Sequence, residues 1–472
     1  MKKHITLSPS VHSSRTVIYA LAVALAGCAV GPNYQRPEVE TPAAFKEGQG
    51  EWVHAAPADT LERGPWWQLF GDADLNDLAS RVRVSNQNVA AAVAAYAQAR
   101  ALVAEQRAAL FPTVSLNVSA NRSGGAGSGG ARNSYQIGIG GSWEPDVWGS
   151  LRRGVEGANA GAQASFADLQ AATLSAQGEL AIDYFNLRSQ DAARALQADT
   201  ITGLERTLKI TQNRYDAGIV ARTDVLQAQT QLANAQAEQL GLERQRAVLE
   251  HAIAVLVGRA PANFSIAPRP QWSGVVPAVP FDLPSPLLQR RPDIAAAERR
   301  VAQANEQIGI AQAGYYPSFR LSGNIGQAAA TIGDLFKASS LVWSVGVSLA
   351  QTIFNAGATG AQVDRARAAM DQAAAHYRQT VLAAFQDVED QLVAARVLEQ
   401  QLVLRQQAAQ AATLVEQQVL NRYQAGQVNY TEVVSAQATA QSARRAVVQA
   451  QSDQQVAAVA LIQSLGGGWK GL

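Results

Sequence analysis

Arg214-Tyr215-Asp216-Ala217-Gly218, followed by Thr223-Asp224-Val225-Leu226-Gln227-Ala228-Gln229, returns 208 positions later (214 to 422) as Arg422-Tyr423-Gln424-Ala425-Gly426 and Thr431-Glu432-Val433-Val434-Ser435-Ala436-Gln437. Upstream, residues 88–112 align without a gap with residues 293–317 at nearly the same offset. The same parts therefore occur twice in the same order, which describes one pseudo-symmetric object rather than two independent domains.

The repeated motif reads as the end of one helix and the start of the next. Gly218 and Gly426 supply the left-handed residue that stops a helix, and Arg214 and Arg422 sit where a cation complements the helix dipole. Thr223 with Asp224, and Thr431 with Glu432, read as the cap and first-turn acid of the following helix. The turns between, residues 219–222 and 427–430, read as short and exposed. Proline is absent from residues 146–260 and after Pro317, but crowds the stretch 261–292. Because proline breaks helix interiors, the two empty regions read as long helices and the crowded one as a linker. Residues 151–216 alone, roughly 66 of them, would form a helix of about 100 Å. These helices are rich in Ala and Gln, as in residues 227–247. Close-packed helices with water on two faces suit a ring around a wet channel, although an ordinary coiled coil shares the pattern.

Between the helices of each half the period changes to two. Val114, Leu116, Val118 and Ala120 alternate with Ser115, Asn117, Ser119 and Asn121, and Tyr135, Ile137, Ile139 and Trp143 alternate with Gln136, Gly138, Gly140 and Ser142. In the second half Phe319, Leu321 and Ile325 oppose Arg320, Ser322 and Asn324, and Leu341, Trp343, Val345, Val347 and Leu349 oppose Ser344, Gly346 and Ser348. This gives about four strands of about ten residues, each with one oily and one wet face, long enough to cross an outer membrane when tilted. An edge of a soluble β-sandwich would show the same alternation. Four strands cannot close a barrel, and open edges are not tolerated in lipid, so copies of the chain must pool their strands. Two copies give a filled eight-stranded barrel and three give twelve with a lumen; the small, polar wet faces favour three. Trp143, Trp148, Tyr315 and Tyr316 fall at strand ends, where an interfacial girdle would be.

The N-terminus carries Lys2, Lys3 and Arg15 before an apolar run over residues 17–26, the length of a signal-peptide core. It ends in Leu25-Ala26-Gly27-Cys28, with the only cysteine of 472 residues. The arrangement resembles the lipobox of bacterial lipoproteins, whose cysteine becomes the N-palmitoyl, S-diacylglycerol first residue. Ala29 in place of an Asp directs such a lipoprotein to the outer membrane. A lone cysteine excludes a disulfide framework. Lys+Arg 39 against Asp+Glu 38, a net charge of +1, offers nothing to nucleic acid.

Chemistry has little to work with. The histidines, His4, His12, His54, His251 and His376, show no metal-ligand spacing. The glycine-rich stretch 124–130 lacks the Lys-Ser/Thr of a phosphate loop and reads as a turn between strands. Asp72, Asp74 and Asn76 imitate a calcium loop, but Asp77 stands where Gly is needed and Arg83 where Glu is needed; Asp72 or Asp74 reads as a helix cap. No catalytic residue, cofactor or metal is expected.

The lipobox, Gly31-Pro32-Asn33-Tyr34-Gln35-Arg36-Pro37, Trp66-Trp67, Arg290-Arg291-Pro292-Asp293-Ile294, Tyr316-Pro317-Ser318 and both Arg-Tyr-x-Ala-Gly motifs resemble the lipoprotein (OprM-like, NodT-like) branch of the TolC-type outer-membrane efflux factors across the whole mature chain. The resemblance implies a mainly α protein with membrane β. In it a homotrimeric twelve-stranded barrel continues into a periplasmic α-helical barrel, with an equatorial domain built from the N-terminal, linker and C-terminal segments. Its partners would be outer-membrane lipid, a periplasmic adaptor and an inner-membrane, proton-driven resistance-nodulation-division pump; its role would be a passive exit duct for small toxic compounds, with a conduit for type I protein secretion as the alternative. The expected division is a signal peptide 1–27, a lipid-anchored segment 28–74, a first repeat 75–260, a linker 261–292, a second repeat 293–466 and a tail 467–472. In several relatives the tip helix carries a Leu and, one turn on, an Asp that narrow the tunnel; Thr431 and Ser435 stand at those positions. Arg214, Asp216, Arg222, Asp224, Arg422 and Glu432 would lie near the tip, as inter-helix ion pairs or as solvated surface charge.

Overall fold

The structure, a computed structural model, describes residues 29–40, 42, 45–47, 65–124, 131–272, 276–277 and 291–467. Cys28, the signal segment, the centre of the glycine-rich stretch and most of the linker beyond 272 lie outside these residues. The helices are α1 Ala73–Ser85, α2 Gln87–Ala108, α3 Ser150–Asp216, α4 Arg222–Leu256, α5 Pro292–Ala313, α6 Ala358–Gln424 and α7 Tyr430–Ser464. The strands are β1 Thr113–Ser123, β2 Arg132–Trp143, β3 Ser318–Ala329 and β4 Leu341–Ala350. The duplication is visible in the lengths. The helices α2 and α5 have 22 residues each, α3 and α6 have 67, and α4 and α7 have 35.

The chain divides into two compact units. The first contains the residues up to Glu38, Tyr96–Ser165 and Ala296–Tyr377. All four strands belong to it, in the antiparallel order β1-β2-β3-β4. The segment after residue 28 is stitched onto this unit through its backbone. Arg153, only 3% exposed, donates from Nε to Val30 O at 2.7 Å, from Nη2 to Gly31 O at 3.1 Å and from Nη1 to Glu306 Oε2 at 2.6 Å. Asn305 Nδ2 donates to Pro32 O at 3.1 Å, the Tyr34 hydroxyl donates to Glu298, and Arg36 Nε donates to the Tyr377 hydroxyl at 3.2 Å. The approach is so close that a Cβ on Gly31 would stand 2.5 Å from Gly309 Cα. The Gly31 to Pro37 motif, which the sequence offered only as a resemblance, is thus a strap.

The second unit holds Val39–Ala95, Phe166–Ala295 and Arg378–Leu472. Its apolar core gathers Trp66, Phe70, Leu75 and Val82 from the N-terminal side, Leu180, Tyr184 and Phe185 from α3, Ile253 from α4 and Ile462 from α7. Asp72 caps α1, accepting from Asp74 N and Leu75 N, as expected of it. The helix from there breaks at Asn86, whose side chain caps α2 by accepting from Asn88 N and Val89 N, so one expected helix is two.

Arg188 and Arg396 occupy repeat-related positions, and each holds a segment that is not repeated. Arg188 is fully buried and donates to Asp74 Oδ2 at 2.9 Å, Asp191 Oδ2 at 3.0 Å and Ala267 O at 2.8 Å. Asp191 also accepts from Arg246 Nε at 2.6 Å and Arg269 N at 3.0 Å, which fixes the start of the linker. Arg396 Nη2 instead donates to Glu47 Oε2 at 2.5 Å, while Glu389 accepts from Lys46 N and Glu47 N. One position thus clamps α1 and the linker in the first repeat and the N-terminal segment in the second.

Removing one member of the buried set strands the others without water, which costs about 3 to 5 kcal/mol. Arg188→Ala is therefore expected to lower the denaturant midpoint far more than Arg396→Ala, because the Arg396 side chain is itself half exposed. Asp183 gives a pH-dependent counterpart. Burial, with Glu179 adding to it, pushes its carboxyl up to about 6. A carboxyl whose folded pKa is raised is uncharged in both states at low pH and penalises folding increasingly as pH climbs through that value. Asp183→Asn should therefore raise the melting temperature more at pH 7.5 than at pH 4.5; an equal gain at both would contradict the assignment.

Candidate functional site

Two regions carry the features that the sequence singled out. The first is the sheet. Its register brings Leu116, Ile139, Ile325 and Trp343 into one row, and Trp143, Leu321 and Val347 into another. Side chains alternate in sidedness along a strand, so the oily residues of all the strands share one face. Ser115, Gly140, Asn324 and Ser344 form a row on the other face, as do Thr113, Ser142, Ser322 and Gly346. The oily face is uncovered within the chain: Val114, Leu116, Val118, Trp343, Val345 and Val347 are 67–78% exposed. Such a surface needs lipid or protein against it. No described helix is long and apolar enough to cross a membrane. At one end of the strands Trp148 stacks on Tyr316 with centroids 4.7 Å apart, and its Nε1 donates to Pro317 O at 2.7 Å. Trp143 Nε1 donates to Leu110 O at 2.9 Å, so the aromatic ends are locked to the backbone leading into the strands.

The second region is the helix tip. Gly218 and Gly426 have φ of +72° and +74°, with Ile219 N donating to Arg214 O and Gln427 N to Arg422 O, the closure expected of a left-handed stop. Two details differ from the sequence reading. The helices begin at Arg222 and Tyr430, so Thr223 and Thr431 lie inside them; the second cap is Asn429, which accepts from Glu432 N at 3.1 Å, and the first, Ala221, has no capping side chain. Tyr430 is not an exposed turn residue but 2% exposed, its ring tilted against that of Tyr423 at 5.7 Å between centroids, and Tyr423 is 1% exposed. An apolar partner one turn into each neighbour outweighs the local turn signal: Val433 and Ala228 complete the cluster.

The repeat is broken here. Arg214 lies 4.6 Å from the Tyr423 ring centroid and donates to Tyr423 O, joining α3 to α6. Its counterpart Arg422 is exposed, and Tyr215, the counterpart of Tyr423, is 39% exposed. Asp216 accepts from Gln212 Nε2 at 2.8 Å within its own helix. Arg222 and Glu432 are exposed and Asp224 is half-buried, and burial raises Tyr430 to about 12 with Tyr423 and Asp224 adding to it. Thr431 and Ser435 lie one turn apart on α7, both exposed. The two tyrosines are the residues that sequence reasoning missed. The signal was a tyrosine at 430 in one repeat where the other has Arg222.

With this geometry in hand, similarity to known proteins can be weighed. The profile of the outer membrane efflux protein family matches residues 78–259 and again 283–467. The chain belongs to the outer membrane efflux protein family. Its toluene efflux pump relative TtgC from Pseudomonas putida is 30% identical over 95% of this chain and 94% of that protein. The cation efflux system protein CusC of Escherichia coli is 27% identical over 96% and 98%. The solved outer-membrane channel OprN superposes with a TM-score of 0.86 at 30% identity, covering 94% of this chain and all of the other. This efflux protein is therefore an outer-membrane efflux channel of TolC-like fold, and its family is one of channel and transport proteins. The two stretches of the family match fall on the two copies of the repeat.

Close packing on the wet face supplies a test. A Cβ on Gly326 would stand 2.4 Å from Ile137 O and 2.6 Å from Gly138 Cα, whereas one on Gly323 meets nothing nearer than 3.9 Å. Gly326→Val should leave little protease-resistant protein in outer-membrane fractions, and Gly323→Ala should leave the yield unchanged.

Proposed function

We propose that three copies of this efflux protein form a passive, lipid-anchored exit duct that receives small toxic compounds from a docked inner-membrane, proton-driven pump through a periplasmic adaptor. The observation that carries the reading is the incompleteness of the single chain under its own symmetry. Within the chain α3 meets α7: Gln437 Nε2 donates to Thr207 Oγ1 at 3.3 Å, and Gln441 Nε2 to Gln197 Oε1 at 3.0 Å. Shifted by one repeat, this interface becomes α6 against an α4. Those helices expose Val403, Leu404, Leu414 and Val415 on one side and Leu240 and Val248 on the other, each more than half exposed. A second copy supplies the match. The outer edges of β1 and β4 make the same demand, because unpaired backbone in hydrocarbon has no water to bond. Three copies give twelve strands and a lumen.

Cys28 is assigned as the acylated residue, directly before the strap that starts at Ala29. The tip is assigned as the gate. Gly218 and Gly426 are its turns, Thr431 and Ser435 its narrowing face, and Arg214, Asp216, Asp224, Arg422 and Glu432 its charges. Hydroxyls at Thr431 and Ser435 make a polar constriction without the field of three carboxylates. The Arg214–Tyr423 contact ties one helix pair to the other within a chain, so opening proceeds where the repeat-related contact is absent.

Two experiments test this reading. Asp216→Cys with Gln424→Cys, cross-linked across the tip, should abolish efflux and leave the trimer intact on gels; full efflux from cross-linked protein would sink the gate. Cys28→Ser should remove the diacylglycerol and palmitoyl mass from the N-terminal peptide, and an unchanged mass would contradict the anchor.

A further inference from the structure

The relatives named for toluene and for cations leave the charge preference of the duct open, and the wet face of the sheet bears on it. Read by register, that face carries Thr113, Ser115, Asn117, Ser119, Asn121 and Ser123 on β1, and the row partners on β2, β3 and β4 are almost all Gly, Ser, Asn, Gln or Ala. Its charged members are Arg132, opposite Ser123 at one end of the strands, and Arg320, opposite Ser348 toward the other. No carboxylate stands on it. Both arginines are exposed, and neither makes an ion pair among the described residues. The acids nearest in the chain do not neutralise them. Asp146 is held by Arg152 at 3.0 Å and Asp334 by Lys337 at 2.5 Å; Glu144 follows the last residue of β2, beyond the strands.

The surroundings leave these two cations prominent. Gly138 and Gly326 approach too closely for any side chain, and Asn324 Oδ1 folds to within 2.5 Å of where a Cβ on Gly140 would be. The wall between the arginines is therefore low and uncharged. Arg122, the remaining cation of these strands, falls on the oily face at its outermost position, level with Asn133. Rings of one sign at a pore wall focus the field, raise the concentration of counter-ions and exclude like charge, and arginine stays charged throughout any working pH.

We infer that the membrane half of the duct is an anion-preferring passage, one that lets small organic anions, such as aromatic or aliphatic carboxylates, through in preference to metal cations. The inference rests on the exit-duct reading, because three copies turn Arg132 and Arg320 into two rings of three around one lumen.

The test is the reversal potential of the full-length protein in planar bilayers, under a KCl gradient and then a sodium benzoate gradient. The wild type should pass chloride and benzoate in preference to potassium and sodium. Arg132→Gln with Arg320→Gln should lower the anion-to-cation permeability ratio by roughly twofold or more, and Arg132→Lys with Arg320→Lys should keep it. Comparing variants in one tunnel cancels charges that lie elsewhere. A ratio that does not fall in the glutamine variant, or falls equally in the lysine variant, overturns the assignment. If the glutamine variant fails to insert, Arg320→Gln and Arg132→Gln made singly give the same readout at smaller size. Assembled trimers that conduct no ions either as wild type or with the tip contact removed by Arg214→Ala defeat the exit-duct reading itself, a result distinct from conduction without charge preference.

Discussion

A backbone amide in hydrocarbon has no solvent to fall back on, and this constraint shapes the molecule more than any single contact. One chain offers four strands, with the outward edges of β1 and β4 left over. The oily face commits those strands to lipid, and the lipid forbids the open edges. Everything longer in the chain serves to deliver the two hairpins to one place at one level. The repeat does this economically, since helices of matched length, 22, 67 and 35 residues in each copy, flank each hairpin in the same order.

Symmetry of this kind creates a problem at the ends of the repeat, where the chain must enter, cross over and leave. The answer lies in non-repeated segments, held by charges at repeated positions. Arg188 meets Asp74, Asp191 and the linker carbonyl of Ala267, and its counterpart Arg396 meets Glu47. The same arginine position therefore serves two different segments because the surrounding acids differ. At the tip the divergence runs the other way. Arg214 and Tyr423 form one contact inside the chain, and their counterparts Arg422 and Tyr215 face outward. The twofold repeat of parts within the chain is therefore not a twofold repeat of its bonds.

Most of the architecture was legible in the sequence because it depends on periodicity. The period-two runs, the proline map and the two glycine stops located the strands, the long helices and the turns to within a few residues. The family resemblance lay in short motifs rather than in the periods. What escaped depended on contacts between distant residues. The threonines after each stop looked like caps, but the helices start one residue earlier at Arg222 and Tyr430, because burial of Tyr430 against Tyr423 sets the start there. The cap that Asn86 provides for α2 is likewise visible only in its side-chain bonds. The strap had a recognisable sequence and no readable purpose, since its partners Arg153, Glu298, Asn305 and Tyr377 lie more than a hundred residues away.

The strap has a consequence for how freely its sequence can change. Arg153 and Asn305 grip the carbonyls of Val30, Gly31 and Pro32, which every amino acid possesses, so the side chains at Val30 and Asn33 are not read by these bonds. The intolerance is concentrated instead in missing atoms: at Gly31 and Gly309 one added carbon on either side would fill the space through which the two backbones pass. Substitution at Val30 and Asn33 should therefore be absorbed, whereas Tyr34 and Arg36 are held by their side chains and the two glycines, nearly three hundred residues apart, by the atoms they lack.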